Sequence, residues 1–569
     1  MSRNKFCYCY FQCDTQRRGA NTIMQEVRAE KGSIEAPRNG KKKAWVTLSH
    51  SGVSFPESYK TDPRTNSIII KGDRISMTPQ QEEMAVAWAK KLGTPYVLDP
   101  VFQSNFLSDF LKLFPEKYRD AKISDIVFPT LPEKIELTKE QKKAIAAERK
   151  KKRLELKEKY GYALVDGVKT EIANWVVEPP GLFMGRGEHP MRGHWKPAIR
   201  EEDITLNLDE NAPVPLGRWK VIHAPENMWI ASWTDKLSEK VKYVWLHDSS
   251  ALRQERDKGK YDKARDLDRH IEKIRAFISR SMSSKDPRTR KMATVCFLID
   301  KLAMRVGDEK DEDEADTVGA STLRVEHLKF QENRIDFDFY GKDFVRWQKT
   351  LEIQPQDRAA IDNLKEFCKG KKPEGLIFDG ITSRHVNEFL GKASKGLTAK
   401  VFRTFHATNA VKSYLQTHNH FSEETPEYEK LFEAKMANLE AAVKCNHKRT
   451  PPKTFEQSLQ KKEEKLKELT QSAPKTEKQK EKLEERIAKM KRQIEFAKMT
   501  REYNLNTSLR NYIDPRVFKN WADNVGLDWK LLYTSTLQRK MAWVDATGTR
   551  TPVGSPSPAM EEKKLESSR

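Results

Sequence analysis

Moving a phosphodiester from a sugar to a protein side chain needs an oxygen nucleophile, fixed positive charge for the non-bridging oxygens and a proton donor for the departing hydroxyl. A tyrosine, two arginine forks, a histidine and a lysine can do this. Arginine suits the phosphate because its planar fork donates paired hydrogen bonds and keeps its charge. A tyrosine, with a solution pKa near about 10, needs a cationic site before it attacks at neutral pH. The chain holds 15 tyrosines, and composition alone selects none of them. A second candidate is the glycine-rich run Pro179–His194, PPGLFMGRGEHPMRGH, where close backbone approach is permitted and Arg186 could enter a groove or pair with a phosphate. It is not a phosphate-binding P-loop, because no Gly-Lys-Ser/Thr follows. Cys7, Cys9 and Cys13 have a spacing that could hold zinc, but a fourth ligand is missing, and free thiols in a tail are the expectation.

Which elements would hold such residues in place follows from capping signals and periodicity. Thr78-Pro79-Gln80-Gln81 reads as a capped helix start with proline at its first turn, closed by Gly93. Thr138 to Lys159 is a second helix, capped by Thr138 and Gln141 and dense in charge. Helical text resumes near Lys263 and continues through Ile299 to Arg305, and the acidic run Asp308–Asp316 reads as a loop. Ile335, Phe337 and Phe339 alternate with Asp336, Asp338 and Tyr340, a half-buried strand. Gly341-Lys342-Asp343 breaks it and Val345-Arg346-Trp347 restarts it, which puts Lys342 at a hairpin tip. Leu483, Ile487, Met490, Ile494 and Ala497 step by four and three, facing a stripe of Phe455, Leu459, Leu466 and Leu469 across a break at Ser472–Lys475. That pattern predicts an antiparallel helical hairpin that projects from the body. A small helical domain runs from Asn511 to about Trp543, and residues 1 to about 40 and 547–569 read as disordered.

The 569 residues exceed one hydrophobic core, so several domains are expected. Lys and Arg number 105 against 83 Asp and Glu, a formal charge of +22 that favours encounter with polyanions. On DNA such a chain would bind largely through phosphates, with affinity falling steeply as salt rises. No apolar run approaches the roughly 20 residues of a membrane span. Six cysteines do not make a disulfide framework. The early arginines and lysines match a mitochondrial presequence weakly.

Five strings resemble the eukaryotic type IB DNA topoisomerases, in that family's order. They are Pro179–Phe183 with Gly185-Arg186-Gly187; Thr317-Val318-Gly319 with Leu323–His327; Leu397–Thr404; Cys445–Arg449 with Pro451-Pro452-Lys453; and Asn511–Arg516. The resemblance spans about residues 42 to 545. It implies an α+β multidomain clamp: a disordered tail over 1–41, a DNA-clamping cap of mixed strands and helices (core subdomains I and II) over 42–262, and a mainly helical catalytic domain like that of tyrosine recombinases over 263–450. A helical-hairpin linker over 451–501, a C-terminal domain over 502–546 and a tail over 547–569 complete it. The implied activity is type IB: one strand of duplex DNA is cut through a 3′-phosphotyrosine, swivels and is rejoined, relaxing positive and negative supercoils without metal, ATP or other cofactor.

By motif, the resemblance makes Tyr512 the nucleophile, Arg324 and Arg403 the clamp on the scissile phosphate, His447 a donor to one of its oxygens and Lys342 the general acid for the 5′ oxygen. Arg186, Asp343 and Asn511 match positions of the camptothecin pocket, implying sensitivity to that drug class. The strings depart from the family pattern in places. Ser508-Leu509 stands where Ser-Lys is usual, with Arg510 next, and Met184 replaces a common arginine. Supercoiled duplex DNA is the implied partner, with replication or transcription partners besides. A monomer in the nucleus is expected, the mitochondrion being the alternative compartment. The rival readings are a tyrosine site-specific recombinase, against which Lys400 stands where such enzymes carry histidine, and a non-catalytic DNA-binding chromatin protein.

Overall fold

A computed structural model describes residues 43–131, 138–308, 317–418 and 420–546. The cysteine trio, most of the acidic run and both tails lie outside the described residues. The described chain is mixed α/β, its sheets small and open. It divides into two compact units, one of residues 43–183 with 193–247, the other of 184–192 with the chain from 248 on. No helix among the described residues is long and apolar enough to cross a membrane.

The first unit carries twelve short strands: β1 (Leu48–His50), β2 (Ser67–Ile70), β3 (Asp73–Ser76), β4 (Ile126–Val127), β5 (Tyr162–Val165), β6 (Val168–Glu171), β7 (Gly181–Leu182), β8 (Trp195–Lys196), β9 (Ile204–Asn207), β10 (Lys220–Ile222), β11 (Trp229–Thr234) and β12 (Val241–Trp245). They form sheets ordered β1-β5-β6, β3-β2-β4, β10-β9-β11-β12 and β7-β8. Helix α1 (Pro79–Ala89) starts as the sequence predicts: Thr78 accepts from the Gln81 amide while the Gln81 side chain accepts from the Thr78 amide. Trp88 of α1 stacks on Phe106 of α2 (Pro100–Phe110), centroids 4.4 Å apart, and Phe110 continues the stack. Offset aromatic stacking adds to the burial of these large rings. Helix α3 (Lys139–Tyr160) has the expected box at Thr138 and Gln141 and no buried residue. The glycine-rich run Pro179–His194, read as a loop throughout, contains the two-residue strand β7, which pairs with β8 so that Leu182 faces Trp195.

The second unit is mainly helical. Helix α4 (Ala251–Met282) begins at Ala251, before Lys263 where periodicity is first visible, because the early turns are almost all charged. Helix α5 (Pro287–Leu302) is capped by Asp286 and buries every residue from Ala293 to Asp300. Strands β13 (Leu328–Phe330), β14 (Arg334–Gly341) and β15 (Val345–Glu352) make an antiparallel sheet in which Ile335, Phe337 and Phe339 face inward, as their alternation predicts. Helices α6 (Arg358–Cys368), α7 (Ser383–Ala393) and the start of α8 (Ala399–Thr417) contribute to the core, while α9 (Glu427–Lys444) packs Ala434, Ala437 and Ala441 into a second one. Then α10 (Phe455–Gln471) and α11 (Glu477–Met499) form the predicted hairpin, whose stripes contain its two buried side chains, Leu469 and Ile494. Its base is docked on α9: Phe496 meets Phe432 edge-on at 6.2 Å and Arg492 lies over the Phe432 ring. Phe496 falls outside the repeating stripe, so periodicity does not reveal it. Helices α12 (Leu505–Asn511), α13 (Pro515–Asn524), α14 (Ser535–Lys540) and α15 (Trp543–Ala546) close the chain around a second core with Phe518, Trp521 and Trp543.

Candidate active site

Helix α8 is buried on nearly all sides over its first turns, and Arg403 is only 2% exposed. A buried guanidinium must find acceptors. Nη1 donates to the Ala303 carbonyl, and Nη2 to the Cys445 carbonyl at 2.8 Å and to His447 Nε2 at 3.0 Å. Ala303 adopts a left-handed conformation (φ 52°) just past α5. Arg403 Nε, also buried, has no acceptor among the described residues. A donor left so is suited to an anion.

His447 follows α9 after the left-handed Asn446 (φ 51°), the turn that ends the helix. Its amide donates to the Ala442 carbonyl, and its carbonyl accepts from the Asn504 amide. Nδ1 lies 2.7 Å from Ser508 Oγ on α12. Burial first, then the charges of Arg403, Arg305 and Lys349, push the imidazole down to about 2, so the ring is neutral.

Tyr512 caps the C-terminus of α12, its amide bonded to the Ser508 carbonyl at 2.9 Å. Thr408 Oγ1, on α8, donates to the Tyr512 carbonyl at 3.3 Å and accepts from the Asp514 amide at 3.1 Å. One helix thus carries Arg403 and pins the backbone that leaves the tyrosine. The His447 and Tyr512 ring centroids are 4.9 Å apart. Burial raises the phenol, but the charges of Arg403 and Arg305 and a hydrogen bond from Arg403 outweigh it, and its pKa falls below the ordinary tyrosine value.

Arg305 is the cation that sequence reasoning missed. Its charge acts on both Tyr512 and His447. Beside Met304 and Val306 it reads as the tail of a helix, and no motif marks it. Its backbone is fixed where Gly307 and Gly319 touch: a Cβ on Gly307 would fall 2.7 Å from Gly319 Cα, so a side chain at either would part the strands. The Ala320 amide donates to the Arg305 carbonyl, and Ser321 Oγ to the Val306 and Gly307 carbonyls. The Thr-Val-Gly string therefore anchors the turn that bears Arg305.

The remaining predicted residues have other partners. Arg324 lies at 3.7 Å from the Glu326 carboxylate, its amide donating to His327 Nδ1. Lys342 is exposed at the tip between β14 and β15. Next to it, Asp343 (φ 67°) is ion-paired with Arg186. Phe344 stacks on Tyr340 at 4.4 Å and occupies the space a Cβ on Gly187 would need. Asn511 donates to the Thr507 carbonyl at 3.3 Å. The hairpin is joined to the Arg403 surroundings through Lys349, whose Nζ bonds the Leu302 and Lys444 carbonyls, and through Asn446 to the Arg346 carbonyl. The structure thus brings Arg403, His447 and Tyr512 into direct contact, and Arg186 with Asp343. Among the described residues no cluster of three or more His, Cys, Asp or Glu is arranged to hold a metal.

Such a site, a tyrosine held by a buried arginine and a neutral histidine in a helical unit, defines a class of tyrosine-based sites, and the comparisons name the family. Residues 43–246 match the model of the eukaryotic DNA topoisomerase I DNA binding fragment, 249–483 its catalytic core and 484–550 the C-terminal topoisomerase domain. The chain is 35% identical to DNA topoisomerase 1 beta of Arabidopsis thaliana over 568 residues, covering 92% of this chain and 61% of that protein. It is 34% identical to DNA topoisomerase 1 of Homo sapiens over 546 residues, 88% of this chain and 70% of that protein. With the Drosophila melanogaster relative the identity is 35%, covering 88% of this chain and 54% of the relative. The chain therefore spans 61% of the length of the first of these relatives. It belongs to the eukaryotic DNA topoisomerase I family.

Proposed function

We propose that this chain relaxes supercoiled duplex DNA as a type IB topoisomerase. The observation that carries the reading is the contact of Arg403, His447 and Tyr512, three residues from separate strings, in one buried cationic site. Tyr512 attacks the phosphorus, its phenol proton passing to solvent. Arg403 and Arg324 neutralise the non-bridging oxygens, and His447 donates to one of them. Lys342 gives a proton to the departing 5′ oxygen. A 3′-phosphotyrosine and a free 5′ hydroxyl result, and because the ester is retained, rejoining needs no nucleotide. Rotation of the free end between the two steps removes supercoils of either sign. Charge stabilisation by arginines supplies what a metal ion does elsewhere.

The chain would act as a clamp around the duplex, with 42–262 as the cap, 263–450 as a recombinase-like catalytic domain, the hairpin over 451–501 as linker and 502–546 bearing the nucleophile. A monomer acting in the nucleus, on DNA undergoing replication or transcription, fits this activity. Arg186, Asp343 and Asn511 would line a camptothecin pocket in the nicked complex. The test is relaxation of supercoiled plasmid in EDTA without ATP, beside a Tyr512→Phe variant. Relaxation that depends on Tyr512 supports the reading. Site-specific recombination would favour a recombinase, and tight binding with inert plasmid a non-catalytic scaffold protein.

A further inference from the structure

A neutral imidazole has one N–H, and which nitrogen bears it is fixed by its neighbours. At His447 the neighbours leave no choice. Arg403 Nη2, which can only donate, stands 3.0 Å from Nε2, so Nε2 carries the lone pair. The proton is then on Nδ1, and Ser508 Oγ at 2.7 Å accepts it. All three groups are buried, with Ser508 at 0% exposure, His447 at 4% and Arg403 at 2%. A histidine in this state cannot donate from Nε2 to a phosphate oxygen, the role the proposed activity asks of it. The hydroxyl on its other side can both accept and donate.

We infer that Ser508 is a positioning residue that serves Nδ1 of His447 in either tautomer, accepting from it in the DNA-free protein and donating to it when a phosphodiester enters. In the DNA-free protein Ser508 accepts from Nδ1. With phosphate present, Arg403 turns its donor to the anion, and the ring loses the Nδ1 proton and gains one on Nε2 by exchange with solvent. Its charge is unchanged, and the Ser508 hydroxyl rotates to donate to the bare Nδ1. Ser508 lies four residues before Tyr512 on the same short helix, and its carbonyl accepts the Tyr512 amide. The tautomer is thereby tied to the seating of the nucleophile. This inference rests on the proposed activity for its second half only.

The test is ¹⁵N NMR of the full chain labelled at histidine, with the His447 signals assigned by their loss in a His447→Asn variant. In DNA-free protein the expected pattern is a protonated Nδ1 and a bare Nε2. In the Tyr512→Phe protein bound to a duplex oligonucleotide, it is a protonated Nε2. Ser508→Ala should keep the DNA-free pattern, which Arg403 fixes, but in the Tyr512→Phe background fail to reach a protonated Nε2 on the duplex; with Tyr512 present it should cut single-turnover strand cleavage about tenfold, with duplex affinity unchanged. Ser508→Thr, which keeps the hydroxyl, should recover the protonated Nε2 on the duplex and the cleavage rate. An Nδ1–H pattern that persists on the duplex, or a Ser508→Ala protein that switches on the duplex and cleaves as wild type does, would overturn the inference. If the wild-type chain relaxes no plasmid, the activity reading fails instead, and the DNA-free spectra still judge the tautomer.

Discussion

The guanidinium carbon of Arg403 lies 5.1 Å from the centroid of the Tyr512 ring, and the phenol it faces is easier to ionise than an ordinary tyrosine in spite of its burial. Charge wins over desolvation here because the cation is held in place by the carbonyls of Ala303 and Cys445 and needs no reorganisation.

Arg403→Lys keeps a positive charge but cannot span two carbonyls and an imidazole together. Strand cleavage should fall by about 100-fold or more, while duplex binding, spread over many phosphates, changes little. The residual rate should rise toward alkaline pH, since the phenol has lost part of what lowers its pKa. Single-turnover cleavage measured between pH 6 and about 10 reads both effects; an unshifted, undiminished profile would refute the assignment.

Lys342, exposed at its turn, has only the proposed proton to give. Lys342→Ala should slow cleavage by about 100-fold on ordinary DNA. A substrate with sulfur in place of the 5′ bridging oxygen leaves as a thiolate without help, and on it the variant should match wild type. A deficit of equal size on both substrates would mean that Lys342 does something else.

Asp248 accepts from Arg253 and Arg510, each at 2.7 Å, and pairs with Lys540 at 3.3 Å. Burial would raise this carboxyl, but Arg253, Lys540 and Arg510 hold it well below the usual carboxylate range. Arg510 is half-exposed, so Arg510→Ala should cost at most about 1 kcal/mol. Lys540 is nearly buried, and Asp248→Asn, which leaves it with Asp257 alone, should cost about 1–3 kcal/mol. Because the folded pKa is depressed, that deficit is complete above about pH 4 and shrinks as the pH falls further. Thermal unfolding of the full chain against pH measures it.

At Lys349 the surroundings disfavour the charged form, and the pH dependence has the same sign at higher pH. Burial and the charges of Lys444 and Arg403 lower it from 10.5 to about 8. Between those values the unfolded chain binds more protons than the folded one, so raising the pH across the window should stabilise the wild type relative to Lys349→Met, with a slope of at most about 1.4 kcal/mol per pH unit. Below pH 8 the difference between the two should be flat. Denaturation midpoints at several pH values decide it.

Local chemistry was legible where it is self-contained. The boxes at Thr78 and Thr138, the alternation through Ile335, Phe337 and Phe339 and the seam of the helical hairpin need only neighbours in sequence. Arg403, His447 and Tyr512 stand in strings that resemblance could find, and their contact is a matter of three-dimensional packing. Arg305 and the bond from Ser508 to His447 were hidden because nothing in their local text departs from an ordinary helix end. The start of α4 was missed since charged turns carry no apolar period, and the docking of Phe496 because its partner lies on α9.

The touching backbones of Gly307 and Gly319 mean that part of the site's accuracy is set by two hydrogen atoms standing where other residues carry carbon. Arg305, two residues before one of these glycines, keeps its place by a fit that leaves no allowance for even the smallest side chain. A single methyl at either glycine would push the two backbones apart and carry Arg305 away from Tyr512 and His447.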